Sequence, residues 1–392
     1  EVIKHMKNFH YSIPTEVYFG KGQIKNLGKE LIKYGKKVLM VYGGGSIKKI
    51  GLYDDVKRIC GENNIECFEL SGVEPNPRIT SVREGIKICR ENSIDMVLAV
   101  GGGSTIDCTK VIAAGVNYDG DPWDIVMDPS KIGEVLPILS ILTLSATGSE
   151  MDAFAVISDT QSNNKIGLGH EKMKPRVSIL DPEYTYSVPK NQTAAGTADI
   201  MSHIFEVYFN TTEGTFMQDR LCEGLLKTCI KYGKIAIEDP KNYEPRANLM
   251  WTSSWAINGL LTYGRGGEWS VHPMEHELSA FYDITHGVGL AILTPHWMEY
   301  VLSDKTLDKF VEYGVNVWGI NPGLDKNDIA HMAIEKTREF FKELGIPSSL
   351  GELGIGEEKL EIMAKQAVRF DLDKGYMPLD WEDVYYIYKR AL

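Results

Sequence analysis

The chain has 392 residues, a formal net charge of −12, 43% apolar and 24% charged residues. That length implies two or three domains with ample room for a buried core, and the composition is that of an ordinary globular chain. The acidic balance speaks against nucleic acid or a membrane surface as a partner, since both call for a basic face.

No apolar run of transmembrane length and no signal peptide is read in it, and its six cysteines form no C-x-x-C pair. A cytoplasmic protein with reduced thiols is expected. Met6 reads as the native start, so residues 1–5 are set aside from fold reasoning.

In chain order, 12–20 (SIPTEVYFG) is short, β-prone and closed by glycine, which predicts a strand, and 22–35 predicts a helix. KKVLMVYGGGS at 36–46 is an apolar, β-branched run into three glycines: a buried strand ending in a tight turn. The alternation continues with a helix at 53–64, a strand at 66–73 and a helix at 79–93. A strand–glycine–helix unit follows at 95–116, then a strand and small-residue loop at 135–150, and a last strand within 174–182. Buried strands alternating with helices predict a parallel sheet covered on both faces. Near residue 186, at SVPKNQ, the texture turns to amphipathic helical segments: 191–210, 215–237, 245–262, 268–281, 286–302, 304–318, 325–344, 357–369 and 380–391. The expected organisation is an α/β domain with a parallel sheet over 1–186, followed by an all-α domain over 187–392. No 20–50-residue repeat and no low-complexity segment interrupts it.

Two GGGS segments, Gly43–Ser46 and Gly101–Ser104, each follow a buried strand, and the second opens straight into STIDCTKVIAAG. Backbone N–H groups at such a turn, with the positive helix end, hold a phosphate that only glycine lets approach. Neither segment is G-x-G-x-x-G or a P-loop, and one triple alone reads equally well as a tight turn. Two triples in one parallel sheet, with a loop carrying Thr143, Ser145, Thr147 and Ser149 ending a third strand, favour a bound dinucleotide. Its expected contacts are Gly43, Gly44 and Ser46, then Gly101, Gly102, Gly103, Ser104 and Asp107, then the four loop hydroxyls and Lys165. Sites for NAD place a carboxylate on the ribose 2′-hydroxyl. The turn YGGGSIKKIG has none, and its Ser46, Lys48 and Lys49 suit a 2′-phosphate, so NADP(H) is expected over NAD(H).

Four of the nine histidines, His272, His276, His286 and His296, fall within residues 268–296. His272 and His276 are four apart and share a helix face, as do Asp199 and His203 upstream in GTADIMSHIFEVYF. Singly, Asp199 reads as a helix cap and His203 as a core histidine. Together, one carboxylate and two or three imidazoles are a donor set for one divalent metal, Fe(II) or Zn(II). Spacing leaves open which of His272 and His276 binds, and His296, after a proline, is expected to pack.

The chain resembles the iron-dependent (group III) alcohol dehydrogenases, most of all their butanol dehydrogenases and broad NADPH-dependent aldehyde reductases. The resemblance runs over nearly the whole chain. It is carried by FGKG at 19–22, GGGSTIDCTK at 101–110, TLSATGSEMD, DPEYTYSVP, GTADIMSHIFE and WSVHPMEHELSAFYDITHGVGLAILTPH. It implies a dehydroquinate synthase-like fold with the site in a cleft, a homodimer, and metal ligands at Asp199, His203, His272 and His286. It makes His276 a catalytic histidine that lines the site without ligating, and puts the pyrophosphate on residues 101–104. Members preferring NAD tend to carry an aspartate near the position of Gly43, so its absence agrees with the NADP(H) expectation. The implied activity is hydride transfer between NAD(P)H and a short-chain primary alcohol or aldehyde, such as butanol or butyraldehyde, assisted by a Lewis-acid metal. Trp123, Met151, Trp255 and Trp269 offer an apolar lining for it. The alternatives are a polyol (glycerol-type) dehydrogenase, which has a sparser ligand set, and a dehydroquinate synthase-like lyase. The lyase needs basic residues for a phosphate-bearing substrate, and 268–296 contains no Lys or Arg.

Overall fold

The computed structural model describes residues 4–392, which divide into two compact units: one of Ser12–Val188 with Pro240–Ser254, the other of the residues up to Tyr11 with Pro189–Asp239 and Trp255–Leu392.

The first unit is built on six strands, β1 (Glu16–Phe19), β2 (Lys37–Tyr42), β3 (Glu66–Leu70), β4 (Met96–Gly101), β5 (Ile138–Leu142) and, after a hairpin of β6 (Phe154–Asp159) and β7 (Asn164–Gly169), β8 (Val177–Leu180). They lie in the order β1-β8-β5-β4-β2-β3, all parallel. Strands β2 and β4 are buried at almost every position, which is why they read as unbroken apolar runs. On one face Val38, Met40, Leu98, Val100, Ile141 and Ile179 pack with Leu52, Val56 and Ile59 of helix α1 (Leu52–Glu62). Helices α2 (Ile79–Asn92) and α3 (Gly103–Gly115) follow β3 and β4.

The alternate residues Ala99, Leu142 and Leu180 pack with Ile106 of α3 and with Met250. Met250 belongs to a helix beyond residue 187, yet Pro240–Ser254 clusters with the sheet. The chain runs from β2 outward to β3 and then back across β2 to β4. The order reverses there, and the crevice outside the carboxyl ends of β2 and β4 is where parallel α/β sheets take ligands. Both glycine triples leave the sheet at that point.

The antiparallel hairpin β6–β7 was not anticipated. Its six-residue strands set buried Ala155, Ile157, Ile166 and Leu168 among more exposed positions and join through a polar turn that includes Asn163 at φ 50°, so neither shows the unbroken apolar run of the central sheet strands.

The helical elements are α4 (Lys190–Tyr208), α5 (Phe216–Glu238), α6 (Tyr243–Ile257), α7 (Val271–Tyr282), α8 (His286–Val301), α9 (Leu307–Asn316), α10 (Lys326–Glu343), α11 (Leu360–Ala367) and α12 (Trp381–Arg390). Most ends lie within three residues of the sequence expectation. The exception is α6, expected to 262. Its periodicity continues, but the chain turns out of the helix ahead of Gly259 at φ 98°. Phe209, Trp297, Phe310 and Tyr313 form the aromatic centre of this unit. Residues 1–3 lie outside the described residues. Lys4–His5, set aside from the sequence reading, pair in parallel with Thr212–Glu213. No helix among the described residues is long and apolar enough to cross a membrane.

Candidate functional site

In the sheet unit, Gly102 caps α3 and Gly101–Ser104 pack against the loop after β5. A Cβ on Gly103 would lie 2.3 Å from the Thr147 side chain, so only glycine brings this loop onto the helix end. Thr143 N–H donates to the Gly101 carbonyl at 3.0 Å, and Thr147 Oγ1 accepts from Ser149 N–H at 3.2 Å. The N-terminus of α3 and the half-buried Ser104, Thr143, Ser145 and Thr147 thus share the carboxyl edge of neighbouring strands, an arrangement suited to a pyrophosphate.

Two expected contacts are otherwise engaged. The Asp107 carboxylate accepts from Ser149 Oγ at 2.6 Å and from Val156 N–H at 2.9 Å, tying loop and hairpin to α3. Burial pushes the Asp107 carboxyl up to about 6, against the pull of Lys110 and of these hydrogen bonds. Lys110, wholly buried, donates to Asp152 Oδ1 at 2.7 Å and to the Asp152 and Phe154 carbonyls at 3.0 and 2.8 Å. These are braces beneath the loop. Lys165 is buried on β7 in register with Ser158.

In the first turn Gly45, at φ 109°, caps the short helix Ser46–Lys49. Gly43 is half-buried, Gly44 and Ser46 are exposed, and nothing lies within 4 Å of a Cβ built on Gly44. The Lys48 ammonium sits over the rings of Tyr42 and Tyr53, 5.5 and 4.7 Å from their centroids. The hydroxyls of those tyrosines donate to Glu69. Lys48 is therefore drawn into an aromatic contact, while Ser46 and Lys49 lie exposed at the turn.

In the helical unit, Asp199 and His203 lie one turn apart on α4, His272 on the first turn of α7, and His286 at the start of α8. The Nε2 atoms of His203, His272 and His286 stand 3.6, 3.8 and 3.6 Å from Asp199 Oδ1. Asp199 Oδ1 and His272 Nε2 are buried and have no hydrogen-bond partner among the described residues. Buried polar atoms are rarely left so, and a metal ion satisfies both. One carboxylate and three imidazoles fit Fe(II) or Zn(II).

Burial raises Asp199, but His203, His272 and His286 outweigh it and hold the carboxyl well below the usual range. Burial takes His203 down to about 4 despite Asp199. Burial also opposes charge on His272, yet the neighbouring carboxylates of Asp199 and Glu206 carry it up to about 9.

Of the two histidines that spacing left open, His272 faces Asp199. His276, half-buried, has its ring 6.2 Å from that of His272 and 5.7 Å from that of His286. It groups instead with Glu275 and His286. Trp269 packs edge-on against His272, with ring centroids 4.8 Å apart, and 6.0 Å from His203. Met151 is buried in the other unit.

Two carboxylates were missed. His272 Nδ1 lies 3.1 Å from Glu206 Oε1, and Glu206 also accepts the Ser270, Val271 and His272 backbone N–H groups at 2.8–2.9 Å. Glu275 meets His286 Nδ1 and the Ser279 hydroxyl. The signal was present, since HIFE and HPME are both H-x-x-E, with the acid one turn beyond a candidate ligand histidine.

Comparison with known proteins shows the family. A model of the iron-containing alcohol dehydrogenases matches residues 14–182, and one of the C-terminal domain of the Fe-containing alcohol dehydrogenase family matches residues 193–392. The chain is 65% identical to NADH-dependent butanol dehydrogenase A of Clostridium acetobutylicum over 388 residues, 98% of this chain and all of that one. It is 39% identical to an NADPH-dependent aldehyde reductase of Escherichia coli, covering 92% of this chain and 93% of the reductase. The crystal structure of NADH-dependent butanol dehydrogenase A from Thermotoga maritima superposes with a TM-score of 0.93, at 40% identity and 99% coverage of both chains.

Proposed function

The chain belongs to the iron-containing alcohol dehydrogenases, metal- and NAD(P)(H)-dependent enzymes with a dehydroquinate synthase-like fold that act as alcohol dehydrogenases and aldehyde reductases, and we propose that its substrates are short-chain primary alcohols and their aldehydes, butanol and butyraldehyde foremost. The observation that carries the site assignment is the convergence of three imidazole Nε2 atoms on Asp199 Oδ1 at 3.6–3.8 Å. In this reading Asp199, His203, His272 and His286 hold one divalent ion, Fe(II) or Zn(II). Bound there, the ion supplies Lewis acidity to an alcohol or aldehyde oxygen, and the nicotinamide carries the hydride. Trp269 offers an apolar wall beside His272, and His276, one turn beyond that histidine, is placed to hold or pass the hydroxyl proton.

The pyrophosphate is assigned to Gly101–Ser104 with Thr143, Ser145 and Thr147, while Asp107 and Ser149 brace the loop from below. The cofactor reading is revised from a preference for NADP(H) to acceptance of both forms. The open Gly43–Ser46 turn carries no acid to repel a 2′-phosphate, but Lys48 is occupied by Tyr42 and Tyr53. Relatives 65% and 62% identical are named NADH-dependent, whereas the NADPH-dependent reductase is at 39%. A functional division near residue 186, a cytoplasmic setting and a homodimer complete the proposal.

The test is loss of reduced-cofactor absorbance with butyraldehyde, NADH against NADPH, on chelated protein and after adding back Fe(II) or Zn(II). Metal-dependent oxidation of either cofactor is expected. Turnover with glycerol but not butanol would move the enzyme to the polyol dehydrogenases, and His272→Ala retaining full metal and turnover would overturn the ligand assignment.

A further inference from the structure

We propose that Glu206 and Glu275 are positioning residues that hold His272 and His286 as Nε2 donors, and that they act in series, each ligand-bearing helix fixing the first turn of the next. The inference rests on the reading of Asp199, His203, His272 and His286 as the metal-holding set.

Asp199, His203 and Glu206 recur at four and three residues along α4 and so share one face. Glu206 is buried, and its carboxylate receives the first backbone N–H groups of α7, where a helix is electropositive and its donors lack intrahelical partners. The same Oε1 faces His272 Nδ1 at 3.1 Å. An anionic acceptor there selects the tautomer with the proton on Nδ1 and leaves the Nε2 lone pair facing Asp199. One carboxylate thus docks α7 and orients its first ligand.

The device then repeats. Glu275, fully buried on α7 one turn beyond His272, meets Nδ1 of His286, the first residue of α8, and turns that Nε2 towards Asp199. The Ser279 hydroxyl on the same helix donates to Glu275 and holds its carboxylate in place. His203 lacks such a carboxylate. Its Nδ1 has no hydrogen-bond partner among the described residues, and its ring is stacked on that of His272 at 4.8 Å and 16°.

Two consequences follow. Loss of Glu206 loosens His272 directly and His286 through the displaced α7, whereas loss of Glu275 loosens only His286. Asp199, Glu206 and Glu275 together also carry one more negative charge than a divalent ion, so the buried carboxylates favour cation retention beyond what the ligands alone provide.

The experiment is titration of the chelator-stripped full chain with Co(II), following its visible ligand-field bands, with Zn(II) affinity from competition with a chromophoric chelator. E206Q and E275Q preserve an acceptor oxygen and remove the charge. Each is expected to weaken metal binding by about 10–100-fold, E206Q more than E275Q, with altered Co(II) bands and an unchanged helical circular dichroism signal. Binding within twofold of the wild type and unshifted bands in both variants would overturn the positioning role. E275Q weaker than E206Q would overturn the serial order. Should E206Q fail to fold, E275Q decides the positioning role by the same two readouts. His272→Ala is the separate control: if it keeps wild-type Co(II) affinity, the ligand reading fails, whatever the glutamates do.

Discussion

Gly287 follows His286, a proposed metal ligand, on the first turn of α8, where that helix crosses α4. A Cβ built on it would stand 2.0 Å from the backbone oxygen of Ala195, 2.6 Å from its carbonyl carbon and 3.0 Å from its Cα. The obstacle is helical backbone one turn before Asp199, not a side chain free to rotate. Restoring an ordinary contact of 3.4 Å in Gly287→Ala demands that α8 and α4 part by about 1.4 Å. Overpacking a tight core costs about 1–3 kcal/mol, and an immovable carbonyl puts this site at the upper end. Metal sites tolerate about 0.2 Å of error in ligand distance, so a shift several times larger beside His286 is expected to cost more than tenfold in metal affinity.

The assay is metal content after dialysis against a buffered chelator, read with the thermal midpoint and helical circular dichroism. Gly224→Ala on α5 is the control, since nothing lies within 4 Å of its Cβ. It should be neutral or slightly stabilising, alanine being favoured over glycine in a helix by up to about 1 kcal/mol. Gly287→Ala with wild-type metal content and midpoint would refute the argument that backbone approach at Ala195 sets the α4–α8 spacing and the position of His286.

Other expectations follow from buried charges and the open turn. Burial lifts the Glu150 carboxyl to about 7, over the opposing hydrogen bond from Ser254. An acid whose folded pKa exceeds its unfolded 4.5 contributes stability that is full below the unfolded value and is lost as pH rises through the folded one. Glu150→Gln keeps the acceptor and removes the charge, so its unfolding free energy from urea titration should match wild type near pH 5 and exceed it near pH 8, by roughly 1–3 kcal/mol. Lys110→Met leaves Asp152 buried without its cation and should destabilise the sheet unit by about 3–5 kcal/mol in urea unfolding. Gly44→Asp has room and places a charge against a 2′-phosphate, so kcat/KM with NADPH should fall about tenfold or more, ~1.4 kcal/mol, while NADH is little changed. Equal loss with both cofactors would show that the turn does not face the ribose.

Much of the fold was legible because local pattern and tertiary role coincide. KVLMVY and MVLAVG read as buried parallel strands because burial on both faces removes alternation. The glycine triples read as turns because Gly45 takes a left-handed φ of 109° and Gly103 leaves no room for a Cβ beside Thr147. Hairpin β6–β7 escaped notice because FAVISD and NKIGLG mix buried apolar residues with polar and glycine positions and so lack an unbroken apolar run. The partners of Asp107 were not legible because a sequence does not say which groups a buried carboxylate meets, here Ser149 and Val156. The contact of Lys48 with Tyr42 and Tyr53 was not legible because it joins strand β2 to helix α1, which only the fold brings together.

By itself the sequence determined an α/β half and a helical half, and offered Asp199, His203, His272, His276 and His286 as candidate donors and two glycine turns of a phosphate-binding type, because helical period, strand burial and glycine spacing are local properties of a chain. Only the tertiary structure decided that His272 rather than His276 faces Asp199, and that Glu206 and Glu275 stand behind the ligands. His272 and His276 share one helix face, and four-residue spacing cannot tell which turn meets another helix. That depends on where α4 and α8 cross α7, set by backbone approaches such as Gly287 on Ala195 and by a carboxylate seated in a helix N-terminus 64–66 residues away in sequence.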